Sequence, residues 1–284
     1  MRHPNKKHTK VLIYEGHLYH IETSNPCGEE LLGPYENCCL GSLNLIRTIT
    51  ERWLQEGNPY AAWPETPGAW MRYYERPGGA PGTKLLARIE NFLPYHAGLA
   101  GLFGSERCLA LLQQCASEPV VLFKDKINFK LPGGAGFADH QDAPAYVNFG
   151  VDHQLTMMVP VDPFTRENGC LEIALDSCER VFLPHHGDGT LKPEVMAGLE
   201  VVPLLATPGD IIVFDAWAPH RSGVNRSAAP RRSYYLTFNP ASAGDHRADY
   251  YARKRECFPP ECERLPGVDY AERGRQFNLA NPFD

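Results

Sequence analysis

Short runs rich in Val, Ile, Leu, Phe and Tyr, cut at close intervals by twenty-five prolines and twenty-five glycines, constrain this chain more than any other feature. A run of that length bounded by turn formers suits a strand and is too short for a self-sufficient helix. Strands are expected at Val120–Phe129, Leu155–Val161, Cys170–Ala174, Leu199–Leu205, Asp210–Phe214 and Arg232–Phe238. Pro132-Gly133-Gly134, Glu167-Asn168-Gly169 and Thr207-Pro208-Gly209 punctuate them. The pattern implies a mainly β protein built as a double-sheet jelly roll. Three- and four-residue apolar spacing is confined largely to the first half, at Ile49–Gln55, Lys84–Glu90 and Arg107–Ala116, where helices are expected to flank the sheets. Asn58–Gly82, rich in proline, glycine and aromatics, reads as a long ordered loop.

Composition narrows the partners. With 284 residues, 43% apolar and 22% charged, the chain has room for one catalytic domain and additional elements. A net charge of −6 and a pI near 6.0 offer no basic surface for nucleic acid or an anionic membrane, so a small-molecule substrate is expected. No apolar run approaches the ~20 residues that span a bilayer. The basic start, MRHPNKKHTK, lacks the apolar stretch and cleavage site of an export signal, so a cytoplasmic location is expected. Nine cysteines, odd in number and without CxxC spacing, read as reduced thiols.

His140-Gln141-Asp142 follows a glycine-rich bend, and in an extended strand the first and third of these side chains share a face. His220, 80 residues on and beyond the strand expected at Asp210–Phe214, is the third candidate ligand. Two neutral imidazoles and one carboxylate leave coordination positions open, the arrangement by which non-haem Fe(II) oxygenases admit a chelating cosubstrate and O2. Three histidines would instead suit zinc and water activation. His-x-Asp alone occurs by chance in many chains, and His153, His185, His186 and His246 lack its context and read as surface or supporting residues. Arg231, eleven residues after His220, adds weight because a planar guanidinium matches a carboxylate in a bidentate pair. Strand alternation allows only one of Arg231 and Arg232 to face the interior.

From about residue 50 to 280 the chain resembles the phytanoyl-CoA dioxygenase family of Fe(II)/2-oxoglutarate oxygenases, to which ectoine hydroxylase also belongs. The stretches carrying the resemblance are Leu122–Gly133, Phe137–Asp142, Glu167–Glu172, Pro208-Gly209-Asp210, His220–Asn225 and Arg231. The resemblance implies a double-stranded β-helix, with iron on His140, Asp142 and His220 and the distal carboxylate of 2-oxoglutarate on Arg231. It further implies that Ser222 and Asn128 assist the cosubstrate, and Lys124 stands where ectoine hydroxylase has a glutamine. The implied reaction converts 2-oxoglutarate and O2 to succinate and CO2 while hydroxylating the substrate. Trp63–Tyr74 and Arg88–Phe92 are similar to the branch of 2-aminoethylphosphonate dioxygenases, which implies a small polar amino-phosphonate or a related substrate. Lys126, Lys130 and Arg232 are the candidate cations for its anionic head, and Tyr146 and Asn148 the candidate lining. Two other readings stay open: a catalytically silent metal-binding scaffold, and a cupin-like metal isomerase or hydrolase, which leaves Arg231 without a task.

The first 48 residues differ in kind. Ile21–Glu29 and Pro34–Leu45 resemble a segment of the ribonucleotide reductase large subunit, with Asn25, Cys27 and Glu29 at the positions of its catalytic Asn-x-Cys-x-Glu and Cys38 at that of its second redox cysteine. Such an enzyme needs a barrel of several hundred residues, so reductase activity is not expected. The chain therefore reads as a reductase-like fragment at 1–48, poorly ordered on this reading, fused to a dioxygenase domain at 49–284.

Overall fold

The computed structural model describes residues 64–76, 84–175 and 179–280, together with the backbone of two strands at 9–14 and 17–22. Twelve strands are found there: β1 (Thr9–Tyr14), β2 (His17–Glu22), β3 (Met71–Glu75), β4 (Leu85–Glu90), β5 (Val120–Asn128), β6 (Phe137–His140), β7 (Leu155–Pro160), β8 (Leu171–Ala174), β9 (Val201–Pro203), β10 (Ile212–Asp215), β11 (His220–Ser222) and β12 (Ser233–Pro240). They form a major sheet in the order β2-β1-β10-β7-β12-β5-β4-β3 and a minor sheet in the order β6-β11-β8-β9. Every pairing is antiparallel except that of β1 with β10. This is the jelly roll that the turn spacing implied. The reductase-like motif at 25–39, the helix expected at Ile49–Gln55 and the boundary near residue 49 lie outside the described residues.

Alternation along the central strands sorts the chemistry. One face of the major sheet sends Ile89, Ile127, Leu155, Met157, Tyr234 and Leu236 against the helices α1 (Ala97–Phe103) and α2 (Glu106–Ala116). The opposite face of the same strands carries Arg88, Glu90, Lys124, Lys126, Asn128 and Thr237 towards the interior. Between the sheets, Met158, Phe164, Ile173, Ile212 and Phe214 fill the other end of the sandwich. The short α3 (Pro193–Ala197) leads into β9, and α4 (Arg247–Cys257) closes one end of the major sheet, followed by α5 (Ala271–Gly274). Tyr250, Tyr251 and Cys257 of α4 pack with Tyr73, Phe123 and Tyr146.

Three expectations are corrected, the first being that helices belong largely to the first half, since α3, α4 and α5 all lie in the second. Lys84–Glu90 is not helical: Leu86 and Ile89 are buried against α1 and α2, and β4 pairs with both β3 and β5. Seven residues with apolar positions three apart fit either period, and the open edge of β5 decides for a strand. Asn58–Gly82 is not all loop, because Met71–Glu75 forms β3 on that new edge. The helix expected at Arg107–Ala116 is present as α2.

Candidate active site

β11 lies between β6 and β8, and in the β6–β11 ladder His220 is directly opposite His140. The two imidazole centroids are 4.2 Å apart. β6 ends at His140, and Asp142 opens the 3-10 turn Ala143–Ala145, so the pair is not held by one continuous strand. Asp142 nevertheless brings Oδ1 to 3.8 Å from His140 Nε2, and one ligand atom from each of the three residues lies within 4.8 Å of the others. Gln141, between them, is buried on the other side. Its amide donates to the Trp217 and Val181 carbonyls at 2.7 and 3.1 Å, and its Oε1 accepts from Leu183 N at 3.0 Å. The middle residue of the motif is thus the staple that fixes the outer two.

The imidazoles are oriented alike. His140 Nδ1 is 2.7 Å from the Ala138 carbonyl and His220 Nδ1 is 2.9 Å from the Ala218 carbonyl. A hydrogen bond there puts the proton on Nδ1 and turns the Nε2 lone pair towards the shared point, the arrangement of a metal-ligating histidine. Burial, then the neighbouring His220, pushes His140 down to about 3, which keeps it neutral. Burial alone would raise the Asp142 carboxyl, but His220, Lys124 and Lys126 hold it well below the usual carboxylate range. Two imidazole nitrogens and one carboxylate converge on one side of a cleft, a donor set that fits Fe(II).

The second half of the site is a buried cation. Arg231 is 1% exposed, its guanidinium lies 4.9 Å from the Phe164 ring centroid, and its Nε and Nη1 have no hydrogen-bond partner. Buried charge without a counter-charge is costly, so an arginine held this way fits an absent anion. Asn128 Oδ1 is likewise buried and unpartnered. Lys130 reaches the same place, with Nζ 2.8 Å from Ser222 Oγ. Arg231, Lys130 and Asn128 line a small cavity that Glu75 also borders, and Asn128 and Phe137 line both it and the larger cleft that contains His140, Asp142 and His220. The two spaces adjoin, which suits a dicarboxylate with one end at the triad and the other at Arg231.

The family profile of phytanoyl-CoA dioxygenase (PhyH) matches residues 77–233. A 2-aminoethylphosphonate dioxygenase from uncultured bacterium HF130_AEPn_1 is 45% identical over 231 residues, covering 81% of this chain and 87% of the relative. The chain belongs to the phytanoyl-CoA dioxygenase family. A methylphosphonate hydroxylase from Gimesia maris is 38% identical, covering 72% of this chain and 76% of its own length. The solved structure of EctD from S. alaskensis with bound Fe superposes with a TM-score of 0.56 at 19% identity, over 72% of this chain and 70% of that one, a likeness of fold. This family member is accordingly an Fe(II)/2-oxoglutarate dioxygenase with Fe(II), 2-oxoglutarate and O2 as its cofactor and cosubstrates, acting on a small molecule. No helix among its described residues is long and apolar enough to cross a membrane.

The dioxygenase's other candidates separate by position. Tyr146 is fully buried in the cleft, and its hydroxyl accepts from Lys124 Nζ. Lys126 also lines the cleft. Lys130, expected beside the substrate, stands instead in the smaller space with Arg231. Asn148 is exposed on the 3-10 turn Val147–Phe149, away from the cleft. Arg232 points outward into a bidentate pair with Asp162 at 2.7 Å, which settles which of the two arginines faces in. His153, read as a surface or supporting residue, is buried with Nε2 3.5 Å from Asp215 Oδ2. Arg88, Glu90, Lys254 and Tyr250 line the cleft and were missed from sequence. The i, i+2 row on β5 signals Lys124 and Lys126. The β4 residues show only once that segment is a strand, and Lys254 and Tyr250 depend on where α4 docks.

Proposed function

We propose that His140, Asp142 and His220 are the iron ligands, that Arg231 with Ser222, Lys130 and Asn128 anchors 2-oxoglutarate, and that the substrate is a small phosphonate such as 2-aminoethylphosphonate or a close relative. The orphaned guanidinium of Arg231, buried one cavity away from the triad, carries this reading. It distinguishes a 2-oxoglutarate enzyme from a cupin-like isomerase or hydrolase, which has no use for a buried cation there. Iron supplies the oxidative chemistry, with 2-oxoglutarate leaving as succinate and CO2. The chain's own residues orient and exclude. The Ala138 and Ala218 carbonyls hold the imidazoles, Gln141 holds the turn, and Phe137 and Tyr146 wall the cleft from water.

The phosphonate class is supported by the two relatives' own substrates and by the balance of charge in the cleft. Arg88, Lys124, Lys126 and Lys254 face it against the carboxylates of Glu90 and Asp142. A dianionic head group compensates that surplus. Succinate release measured against a panel of 2-aminoethylphosphonate, methylphosphonate and uncharged alcohols tests the class. Release with a phosphonate is expected, and release only with uncharged compounds overturns it.

A further inference from the structure

Lys124, Lys126 and Asn128 point inward from β5, and Lys130, two residues past the strand's end, continues the row. At ~3.3 Å per residue the row runs about 20 Å. Arg231 and Lys130 hold one end of it. A five-carbon dicarboxylate reaching from there to the triad covers well under half of that length, so the Lys124–Lys126 end is beyond its grasp. Asp142 attracts both lysines of that wall, but as a member of the triad it is committed to the metal site, which leaves the two ammonium groups open to a further anion.

Lys126 lies opposite Glu90 on β4 and opposite Tyr235 on β12. Glu90 cannot serve it, because Glu90 Oε1 is 2.8 Å from Arg88 Nε and Glu90 Oε2 is 2.5 Å from Lys254 Nζ. Tyr235 offers only its ring, 4.8 Å from Lys126 Nζ to the centroid. Among the described residues Lys126 has no hydrogen bond and no ion pair. Lys124 is buried, with its Nζ donating to the Tyr146 hydroxyl; Asp142 and Glu90 are the carboxylates that act on it, and neither forms an ion pair with it. Burial, then the Lys126 ammonium, pushes Lys124 down to about 8, as befits two cations short of counter-charge.

We propose that Lys126, with Lys124 beside it, is the subsite for the doubly charged phosphonate head of the substrate and sets a preference for a tetrahedral dianion over a carboxylate. The inference rests on the phosphonate reading above. Glu90 is its positioning residue: by engaging Arg88 and Lys254 it keeps its own carboxylate off Lys126 and leaves that ammonium open to the cleft.

Lys126→Met and Lys126→Arg test it, with two quantities measured on each: KM for the phosphonate, and the dissociation constant for 2-oxoglutarate from an anaerobic Fe(II) titration. Lys126→Met is expected to raise KM by roughly ten- to a hundredfold, with the 2-oxoglutarate constant within about twofold, and Lys126→Arg to recover most of the loss. An unchanged KM overturns the proposal. So does a 2-oxoglutarate constant that rises in step with KM, since that assigns Lys126 to the cosubstrate. In the wild-type holoenzyme, inorganic phosphate should compete with methylphosphonate and acetate should not; equal competition by acetate overturns the dianion preference. A wild type that binds Fe(II) and 2-oxoglutarate but turns over no phosphonate defeats the substrate reading itself, an outcome distinct from the others.

Discussion

Arg231 and Lys130 are buried side by side in a cavity that Glu75 also lines, and a carboxylate arriving there would satisfy the guanidinium. Replacing Arg231 with Met, which keeps the apolar stem, should weaken 2-oxoglutarate binding roughly a hundredfold while Fe(II) still binds, as read by anaerobic titration. Lys130 gives a sharper signature. Burial, then the neighbouring Arg231, pushes it down to about 6, with Glu75 opposing, so above that pH it is largely neutral in the cosubstrate-free protein. An arriving carboxylate favours the charged form, so 2-oxoglutarate binding near pH 8 should take up protons. Calorimetry in buffers of different ionisation enthalpy measures this, and Lys130→Met should remove the uptake. At this scale the sequence was informative where spacing itself encodes geometry, as in His140-Gln141-Asp142. It misplaced Asn148, which alternation cannot position once the strand has ended at His140.

β11 is only three residues long, yet it carries His220 and Ser222 and depends on bare backbone beside it. A side chain on Gly136 would meet the Ser222 carbonyl at 2.3 Å. Gly169, at φ +68°, approaches the Gly223 carbonyl so closely that a Cβ would lie 2.1 Å from it. Gly136→Ala should therefore push β11 from β6, separate His140 from His220, lower Fe(II) affinity at least tenfold and cost about 1–3 kcal/mol of stability. Gly101→Ala, in α1 with nothing within 4 Å of the new methyl, is the control and should be neutral or stabilising. Chemical denaturation with and without Fe(II) checks both. The six strands bounded by turn residues, β5, β7, β8, β9, β10 and β12, were legible for that reason. β4 was not, since Leu85, Leu86 and Ile89 satisfy helical spacing, and only the partner strand distinguishes the periods.

Over the whole molecule, the contact between α4 and the major sheet is made through charge as well as aromatic packing. Lys254 reaches from the helix to Glu90 on β4, which also holds Arg88. Burial opposes ionisation of Glu90, but Lys254 and Arg88 lower it from 4.5 to about 2. A depressed carboxyl contributes stability that is fully present above its unfolded value and is lost as pH falls through the folded one. Melting temperature should therefore drop between about pH 4.5 and 2, and Glu90→Gln, which leaves two buried cations uncompensated, should cost about 3–5 kcal/mol at neutral pH and flatten that acid limb. Such long-range closure is what a linear sequence conceals: the triad lies within two short segments, whereas the cleft wall joins residues 88, 90, 126 and 254. The triad and Arg231 must jointly serve a single bound cosubstrate. Anaerobic addition of Fe(II) and then 2-oxoglutarate to the wild type should give the weak visible charge-transfer band of chelated Fe(II), absent with either alone and lost in Arg231→Met at the same 2-oxoglutarate concentration. No band in the wild type, or an undiminished band in Arg231→Met, would contradict it.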